Sequence, residues 1–234
     1  MKGLLMAIHI GGVKTMTDPS QAGRTWRSAI LKQPVSGPVW LGRTNLAADE
    51  QADLKHHGGP DKAVLAYAYA HYPLWREELG LSEMGPGGFG ENFVVSGMAE
   101  PEVCIGDTFR VGEAVVQVSQ PRQPCWKLGR RWNLADLPKR AEETGRTGWY
   151  FRVLEEGWVE PGQEMVLVDR PFPQWTVARC NEIMHHRRHD RAAAAELAAC
   201  PALSESWKKT LGRRAKDGTN PDPRARLQPE TETP

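Results

Sequence analysis

The chain has 234 residues, 40% hydrophobic and 25% charged, which is typical of a soluble globular protein with a sizeable core. Its formal net charge of +1 excludes a global attraction to nucleic acid or an anionic membrane, so any anion site must be a local basic cluster. The cysteines include no C-x-x-C pair, which argues against a zinc module or disulfide scaffold and favours reduced thiols in the cytoplasm; they are Cys104, Cys125, Cys180 and Cys200.

Short strands separated by glycine and proline turns dominate the chain up to about residue 170. The apolar run at residues 3–10 predicts a buried first strand and is too short for a membrane span. Residues 15–25 are expected to be loop. Further strands are predicted at residues 34–41, 63–69, 93–95, 108–111, 114–118, 145–154 (after a turn) and 164–168, with helices at 71–79 and 134–144. This succession indicates a closed or nearly closed β-barrel.

The pattern becomes helical after residue 173. Apolar residues keep helical spacing, as in Leu203, Trp207 and Leu211, and predict three short helices between about residues 176 and 215. The basic run at residues 185–189 is interpreted as a solvated helix end rather than a nucleic-acid site. Residues 217–234 carry four prolines and few apolar side chains, so disorder is expected there.

Cys125 lies in a loop between two prolines and is the first candidate for chemistry. Pro121 and Pro124 cannot donate to a strand ladder and are expected to end it. Arg122 and Lys127 flank the cysteine, and cations favour the thiolate, which is the form that attacks substrates or binds metal. From the residues alone, a structural cysteine and a reactive one are equally supported.

A second polar segment covers residues 55–62, with the sequence Lys-His-His-Gly-Gly-Pro-Asp-Lys. Two adjacent histidines cannot face one metal ion from a strand or helix, which weakens a zinc interpretation. The glycine turn lets backbone N–H groups approach a ligand, and His57 and Lys62 could bracket an anion. Taken alone, the segment favours the alternative of a glycine-rich hairpin with incidental surface charge.

Taken together, these segments resemble the MOSC-domain family of the YiiM type. The resemblance is carried by Gln-Val-Ser-Gln-Pro-Arg-Gln-Pro-Cys at residues 117–125, His-Gly-Gly-Pro-Asp-Lys at 57–62 and Phe-Gly-Glu-Asn at 89–92. Residues 49–53 and 145–149 fit as well, and residues 175–215 are similar to the family's three-helix extension. The resemblance implies a mainly β fold, with a MOSC β-barrel at residues 1–172, a three-helix extension at 173–216 and the tail at 217–234.

The resemblance also implies a function. Such a protein holds the molybdenum cofactor and reduces N-hydroxylated compounds, including hydroxylaminopurine-type base analogues, to amines. Cys125 is then the catalytic residue and the protein ligand to molybdenum. The implied cofactor contacts are His57, Lys62, Glu91, Asn92, Gln120, Arg122 and Lys127.

An electron donor must be supplied separately. The sequence shows no flavin or nicotinamide motif and no cysteine cluster for iron and sulfur, so a partner reductase is predicted. The other expectations are a small-molecule substrate, no nucleic acid, no membrane and a cytoplasmic location. A homodimer is implied by the family alone.

Two departures from the family pattern bear on the site. Ala48 stands where relatives tend to have glycine before Asp-Glu, which predicts strain if the turn prefers glycine. Relatives often place a lysine before the Ser-Ala-Ile triplet, whereas Ser28 follows Trp26-Arg27 here. Either Arg24 or Arg27 is a candidate to replace that lysine at a phosphate.

Two other functions remain open. Cys125 could carry a persulfide or deliver a metal–sulfur unit without turnover, since an exposed low-pKa thiol would serve either role. A pyridoxal-phosphate site is a weaker possibility because nothing in the sequence singles out Lys62 or Lys127 as a Schiff-base lysine. The helical extension is expected to shape substrate access.

Overall fold

A closed seven-stranded β-barrel forms the centre of the structure, a computed structural model that describes residues 2–17, 25–53 and 57–228. The antiparallel pairing of the last strand with the first closes the barrel, and one pair of neighbouring strands, Val64–Ala68 with Phe93–Ser96, runs parallel. The strands follow one another around the barrel as β1 (Lys2–Ile10), β7 (Phe93–Ser96), β6 (Val64–Ala68), β10 (Trp149–Glu155), β9 (Ala114–Pro121), β8 (Thr108–Val111) and β12 (Glu164–Asp169). The predicted mainly β barrel is confirmed.

Shorter strands extend this frame. β4 (Gln33–Val35) continues the pairing along the end of β1, and β5 (Val39–Leu41) pairs with β11 (Gly157–Val159). β2 (Lys14–Thr17) and β3 (Thr25–Ser28) form an antiparallel pair. The loop predicted at residues 15–25 is therefore wrong at both ends, because a polar, threonine-rich sequence suits a strand whose side chains face solvent. Residues 18–24, including Arg24, lie outside the described residues.

Three helices pack outside the barrel: α1 (His71–Leu79), α2 (Trp126–Trp132) and α3 (Leu137–Thr144). They cover a second apolar cluster that includes Tyr72, Trp75 and Leu128. α1 has the predicted bounds and ends at Gly80, whose φ of 65° lies in the left-handed region that favours glycine. α2 was not predicted, and the helix expected at residues 134–144 begins three residues later as α3.

The three-helix extension shares the apolar core of the barrel. α4 (Val177–Asn181) continues into a π-helical turn at Glu182–His186, followed by α5 (Arg191–Ala198) and α6 (Glu205–Asp217). Trp175 and Leu211 belong to the same buried cluster as Val116 of β9. The helix expectation for residues 176–215 is confirmed. No helix within the described ranges has the length and apolar character needed to cross a membrane.

The expectation of disorder from residue 217 is wrong for the described part of that segment. α6 runs through Asp217, and after a turn at Gly218 a short helix, α7 (Arg224–Leu227), follows. The low apolar content misled the prediction, because charged and amide side chains hold this segment to the protein. Asn220, for example, donates from Nδ2 to the Arg188 carbonyl over 3.0 Å. Residues 229–234 lie outside the described residues.

Candidate functional site

Cys125 lies at the start of α2, on the wall of an open cleft; the space between its lining residues, counted out into the solvent, is about 670 Å³. β9 pairs with β10 as far as Pro121, so the ladder runs three residues beyond the predicted strand and ends at the first of the two prolines. The backbone of Cys125 is extended and its side chain makes no capping hydrogen bond to α2, which leaves the thiol available to the cleft. Cys125 is partly exposed, whereas Cys104, Cys180 and Cys200 are buried. The sequence supported a structural and a reactive cysteine equally, and the position of Cys125 on the cleft wall favours the reactive interpretation.

His57 is the nearest polar neighbour of the thiol. Its Nε2 lies 3.5 Å from Sγ of Cys125, and its Nδ1 lies 3.7 Å from Oδ2 of Asp53. Burial and, to a smaller extent, the charge of Lys127 lower the pKa of His57 to about 4, although Asp53 opposes the shift. The imidazole is therefore neutral at neutral pH. It can exchange a hydrogen bond with the sulfur but adds no positive charge.

The positive charge of the cleft comes from Arg122, Lys62 and Lys127, which line it together with Cys125. Arg122 is only 6% exposed, and its Nη1 has no hydrogen-bond partner among the residues that the structure describes. Burial lowers the pKa of Lys62, with Asp61 and Asp53 acting in the opposite direction. Because a buried cationic N–H without an acceptor is costly, Arg122 indicates a place for an anionic ligand.

A buried ion pair forms another part of the cleft wall. Nζ of Lys32 pairs with Oδ1 of Asp49, and both side chains are almost fully buried. Asp49 also accepts from the Gly11 N–H over 2.8 Å and from Nδ2 of Asn92 over 2.9 Å. Burial lowers the pKa of Lys32, and the neighbouring Asp49 opposes this shift. The cation here is neutralised within the protein, unlike that of Arg122.

Asn92 also connects three segments around this pair. Its Nδ2 donates to the His9 carbonyl over 3.1 Å, and its Oδ1 accepts from the Leu65 N–H over 3.2 Å. Asn92 therefore lines the cleft while its amide is already engaged. Ala48, next to Asp49, has φ of 64°, so the strain expected from the loss of a glycine at this turn is present.

Two predicted contact residues do not reach the cleft. Glu91 is fully buried, and its carboxylate accepts from the Tyr72 hydroxyl and from the N–H groups of Gly87 and Phe89. Glu91 therefore holds the glycine-rich loop in place. That loop delivers Gly90 to the cleft at φ of 74°, where a Cβ would stand 2.6 Å from Cγ1 of Ile30.

Gln120 instead faces the helical extension. Its Oε1 accepts from the Ser206 hydroxyl over 3.1 Å, and its Nε2 donates to the Pro121 carbonyl over 3.2 Å. Close by, Arg152 pairs with Asp61 over 2.8 Å and donates to Gln117 over 3.1 Å. Neither Gln120 nor Arg152 lines the cleft. Together with the buried position of Glu91, this means that direct cofactor contacts by the side chains of Glu91 and Gln120 are not supported.

Comparison with known proteins divides the chain in the same way, into a barrel segment and a helical extension. A family model described as MOSC domain matches residues 53–166, and one described as YiiM-like, 3-alpha helix domain matches residues 175–215. YflK, a Bacillus subtilis (strain 168) protein described as uncharacterized, is 42% identical over 207 residues, which cover 88% of this chain and 92% of YflK. This chain belongs to the YiiM-like MOSC-domain family.

Solved and longer members of the MOSC-domain family extend the comparison. The crystal structure of YiiM from Geobacillus stearothermophilus is 40% identical, with a TM-score of 0.77 and coverage of 91% of this chain and 99% of that one. A Gibberella moniliformis (strain M3125 / FGSC 7600) protein named "Reductase" is 36% identical over 204 residues. That match covers 85% of this chain but 35% of the fungal protein.

For this MOSC domain, sequence reasoning predicted several of the side chains that line the cleft and missed others. Five of the seven predicted cofactor contacts meet at the cleft: His57, Lys62, Asn92, Arg122 and Lys127. Sequence reasoning did not assign Lys32, Gln123 or Tyr150, which also line it. Gln123 could have been found from its place between Arg122 and Cys125. Lys32 and Tyr150 carry no local motif.

Proposed function

We propose that this protein is a molybdenum-cofactor-dependent reductase of N-hydroxylated compounds, with Cys125 as the protein ligand to molybdenum. The observation that carries the proposal is the buried Arg122 guanidinium, which lines the same cleft as the Cys125 thiol and whose Nη1 has no partner within the described part of the chain. MOSC domains are generally associated with this cofactor, which bears a phosphate and a pterin. The cleft must therefore bind two parts of the cofactor, an anionic phosphate and a soft metal.

The side chains of the cleft fit such a cofactor. A thiolate is the protein ligand that suits a soft metal, and Cys125 supplies it. Arg122, Lys62 and Lys127 would hold the phosphate, since guanidinium and ammonium groups form strong charge-assisted hydrogen bonds with phosphate oxygens. The flat pterin would lie along the apolar part of the wall, which consists of Ile30, Leu65 and Phe89.

The reaction converts R–NHOH to R–NH₂ and water, and it consumes two electrons and two protons. When bound, the molybdenum group would supply the two-electron redox chemistry that removes the oxygen of the N–OH group. Cys125 would hold the metal, and the hydrogen-bond contact of His57 with Sγ restrains the direction of the thiol. The cleft-lining cations would orient the cofactor, and the open side of the cleft would admit a small N-hydroxylated substrate.

A separate reductase is proposed as the source of the electrons. The relative named "Reductase" supports this proposal, because its chain extends well beyond the stretch that matches the present one. The further parts of the proposal are a small-molecule substrate, a cytoplasmic location and a possible homodimer, without nucleic-acid or membrane binding. The near-neutral net charge agrees with the last part.

The test is to purify the protein from a host that makes the cofactor and to assay its molybdenum and pterin. Reduction of a hydroxylaminopurine is then measured with an artificial electron donor. We expect bound metal and turnover in the wild type, and a loss of turnover by more than about a hundredfold in Cys125→Ser, because second-shell changes alone cost up to that much. Cys200→Ala, a change at a buried cysteine away from the cleft, serves as the control.

Two results would contradict the proposal: metal-free protein, or Cys125→Ser turning over at the wild-type rate. The sulfur-carrier alternative draws on the same observation, a partly exposed thiol beside His57. That alternative predicts no turnover by the metal-loaded protein. It also predicts a persulfide on Cys125, detectable by mass spectrometry after incubation with a sulfur donor.

A further inference from the structure

The segment after α6, residues 218–228, returns across the protein to the loop that carries Cys125; we call it the C-terminal arm. Its beginning is fixed to the helical extension, because Oδ1 of Asn220 accepts from Nε of Arg214 over 2.6 Å. The Pro221 carbonyl accepts from Arg188 over 3.3 Å. α7 then carries Arg226, which contacts the backbone of the Cys125 loop.

Arg226 joins two elements beside the site. Its Nη1 donates to the carbonyl of Pro124, and its Nη2 pairs with Oε1 of Glu142 on α3. Glu142 is 8% exposed, and burial raises its pKa while Arg226 lowers it. A planar guanidinium can serve a carbonyl and a carboxylate at once, which makes Arg226 suited to bridge α3 and the Cys125 loop.

The Pro124 carbonyl belongs to the peptide bond that precedes Cys125, so a contact to it restrains the backbone of Cys125 directly. This carbonyl, the Cys125 N–H and the Cys125 Cα belong to one planar peptide group. Fixing the direction of the carbonyl therefore fixes the orientation of the peptide plane that precedes the Cys125 side chain. The Pro124 ring restricts the backbone on the other side. Because the Cys125 side chain makes no capping bond to α2, its direction depends on this backbone and on His57.

We propose that Arg226 is a positioning residue that fixes the direction of the Cys125 thiol through the Pro124 carbonyl. The C-terminal arm would thus complete the site without lining it. The proposal rests on the proposed function only in taking Cys125 as the reacting group. It makes a prediction for the cofactor-free protein as well, so it can fail or hold independently of molybdenum binding.

The experiment measures the rate at which a thiol reagent labels the native, cofactor-free protein. Labelling reports on Cys125, because the other three cysteines are buried. In Arg226→Ala the loop opens more often, and we expect labelling to accelerate about tenfold, the scale of a lost hydrogen bond to a charged group. Arg226→Lys keeps a cation near Glu142 and is expected to restore about half of that change on a logarithmic scale.

The matched control is Arg224→Ala, on the same helix, whose guanidinium pairs with the exposed Asp222 and does not contact the Cys125 loop. It should label at the wild-type rate. Thermal melts of each variant separate a local change from global unfolding. The proposal is overturned if folded Arg226→Ala labels within about twofold of wild type, or if Arg224→Ala changes the rate equally.

If Arg226→Ala does not fold, Glu142→Gln decides. This variant keeps Arg226 and removes the charge that anchors it. Labelling about threefold faster than wild type supports the proposal, and an unchanged rate contradicts it.

Discussion

The cleft and the helical extension each bury an arginine, but they satisfy it differently. Arg214 in α6 is 1% exposed, and its guanidinium donates to the Ile183 carbonyl over 2.6 Å and to the Met184 carbonyl over 2.9 Å. Arg122 in the cleft is 6% exposed, and its Nη1 has no partner in the described ranges of the chain. A buried cation whose donors are engaged stabilises the fold, whereas an unengaged donor on a residue that lines an open cleft indicates a ligand site.

Helix starts repeat the contrast. In the extension, Thr176, Asp190 and Ser204 each cap a helix by accepting a hydrogen bond from its first turn. At the cleft, α2 begins at Cys125 without a side-chain cap. Among the described residues, the non-glycine positions with positive φ are Ala48 and Asn133, the first beside the cleft and the second at the end of α2. The helix starts of the extension are therefore capped by side chains, whereas the start of α2 at the cleft is not, and a left-handed non-glycine residue lies beside the cleft.

The largest effect on stability is expected for Arg214→Met. The change leaves the Ile183 and Met184 carbonyls buried without a donor, so the free energy of unfolding should fall by about 3 kcal/mol. Urea denaturation measures this loss. The neighbouring exposed Arg213→Met is the control, and equal stability of the two variants would remove the contrast between the two arginines.

Arg122→Met should show the opposite behaviour. Removing a cation that lacks a partner should change the free energy of unfolding by less than about 1 kcal/mol. Retention of the phosphate-bearing cofactor should fall by about tenfold or more, because a hydrogen bond to a charged group contributes about 1.5–3 kcal/mol. Pterin content after gel filtration gives the result, with the exposed Arg110→Met as control. A large loss of stability with unchanged pterin would make Arg122 structural.

His185 should make the extension sensitive to acid. Burial and the nearby Arg226 guanidinium lower its pKa from 6.5 to about 3, and Arg214 and Arg188 act in the same direction. Between these values the unfolded chain binds a proton that the folded protein excludes, so stability decreases as pH falls below 6.5. By pH 5 this effect alone should cost about 2 kcal/mol. His185→Gln should flatten the pH dependence of urea denaturation, whereas exposed His189→Gln should not; equal slopes would contradict the account.

The smallest effect tests strain at the cleft. Ala48→Gly relieves a left-handed backbone conformation and should stabilise the protein by about 0.5–1 kcal/mol. The melting temperature should rise by about 2 °C. Ala47→Gly, one position earlier and also exposed, lacks this strain and should lower the melting temperature. The same sign for both variants would show that the φ of Ala48 carries no cost.

The sequence predicted the parts of this protein that depend on local pattern. Strand alternation, helical spacing and the bounds of α1 were readable because apolar residues recur at the period of each element. The convergence of His57, Lys62, Arg122 and Lys127 on Cys125 followed from family motifs rather than from residue spacing. The strain at Ala48 was also foreseen, because a missing glycine is visible in the sequence.

Side-chain directions were harder to predict. In the pairing of β9 with β10, Ser119 is an extra residue, and such a bulge changes which face the following side chains occupy. Gln120 therefore meets the extension instead of the cleft. The Glu91 carboxylate accepts hydrogen bonds from N–H groups of its own loop. Lys32 and Asp49 are distant in the sequence and form their ion pair only in the folded protein. The contact of Arg226 with Pro124 joins residues 102 positions apart, which no local pattern reveals.

The central claim is that Cys125 binds the metal of a cofactor held by the cleft. X-ray absorption at the molybdenum edge tests it most directly, on wild type and Cys125→Ser purified from cells that make the cofactor. We predict molybdenum in the wild type with one more sulfur neighbour than in any metal retained by Cys125→Ser. Equal numbers of sulfur neighbours in the two proteins, or wild-type protein without molybdenum, would contradict the account.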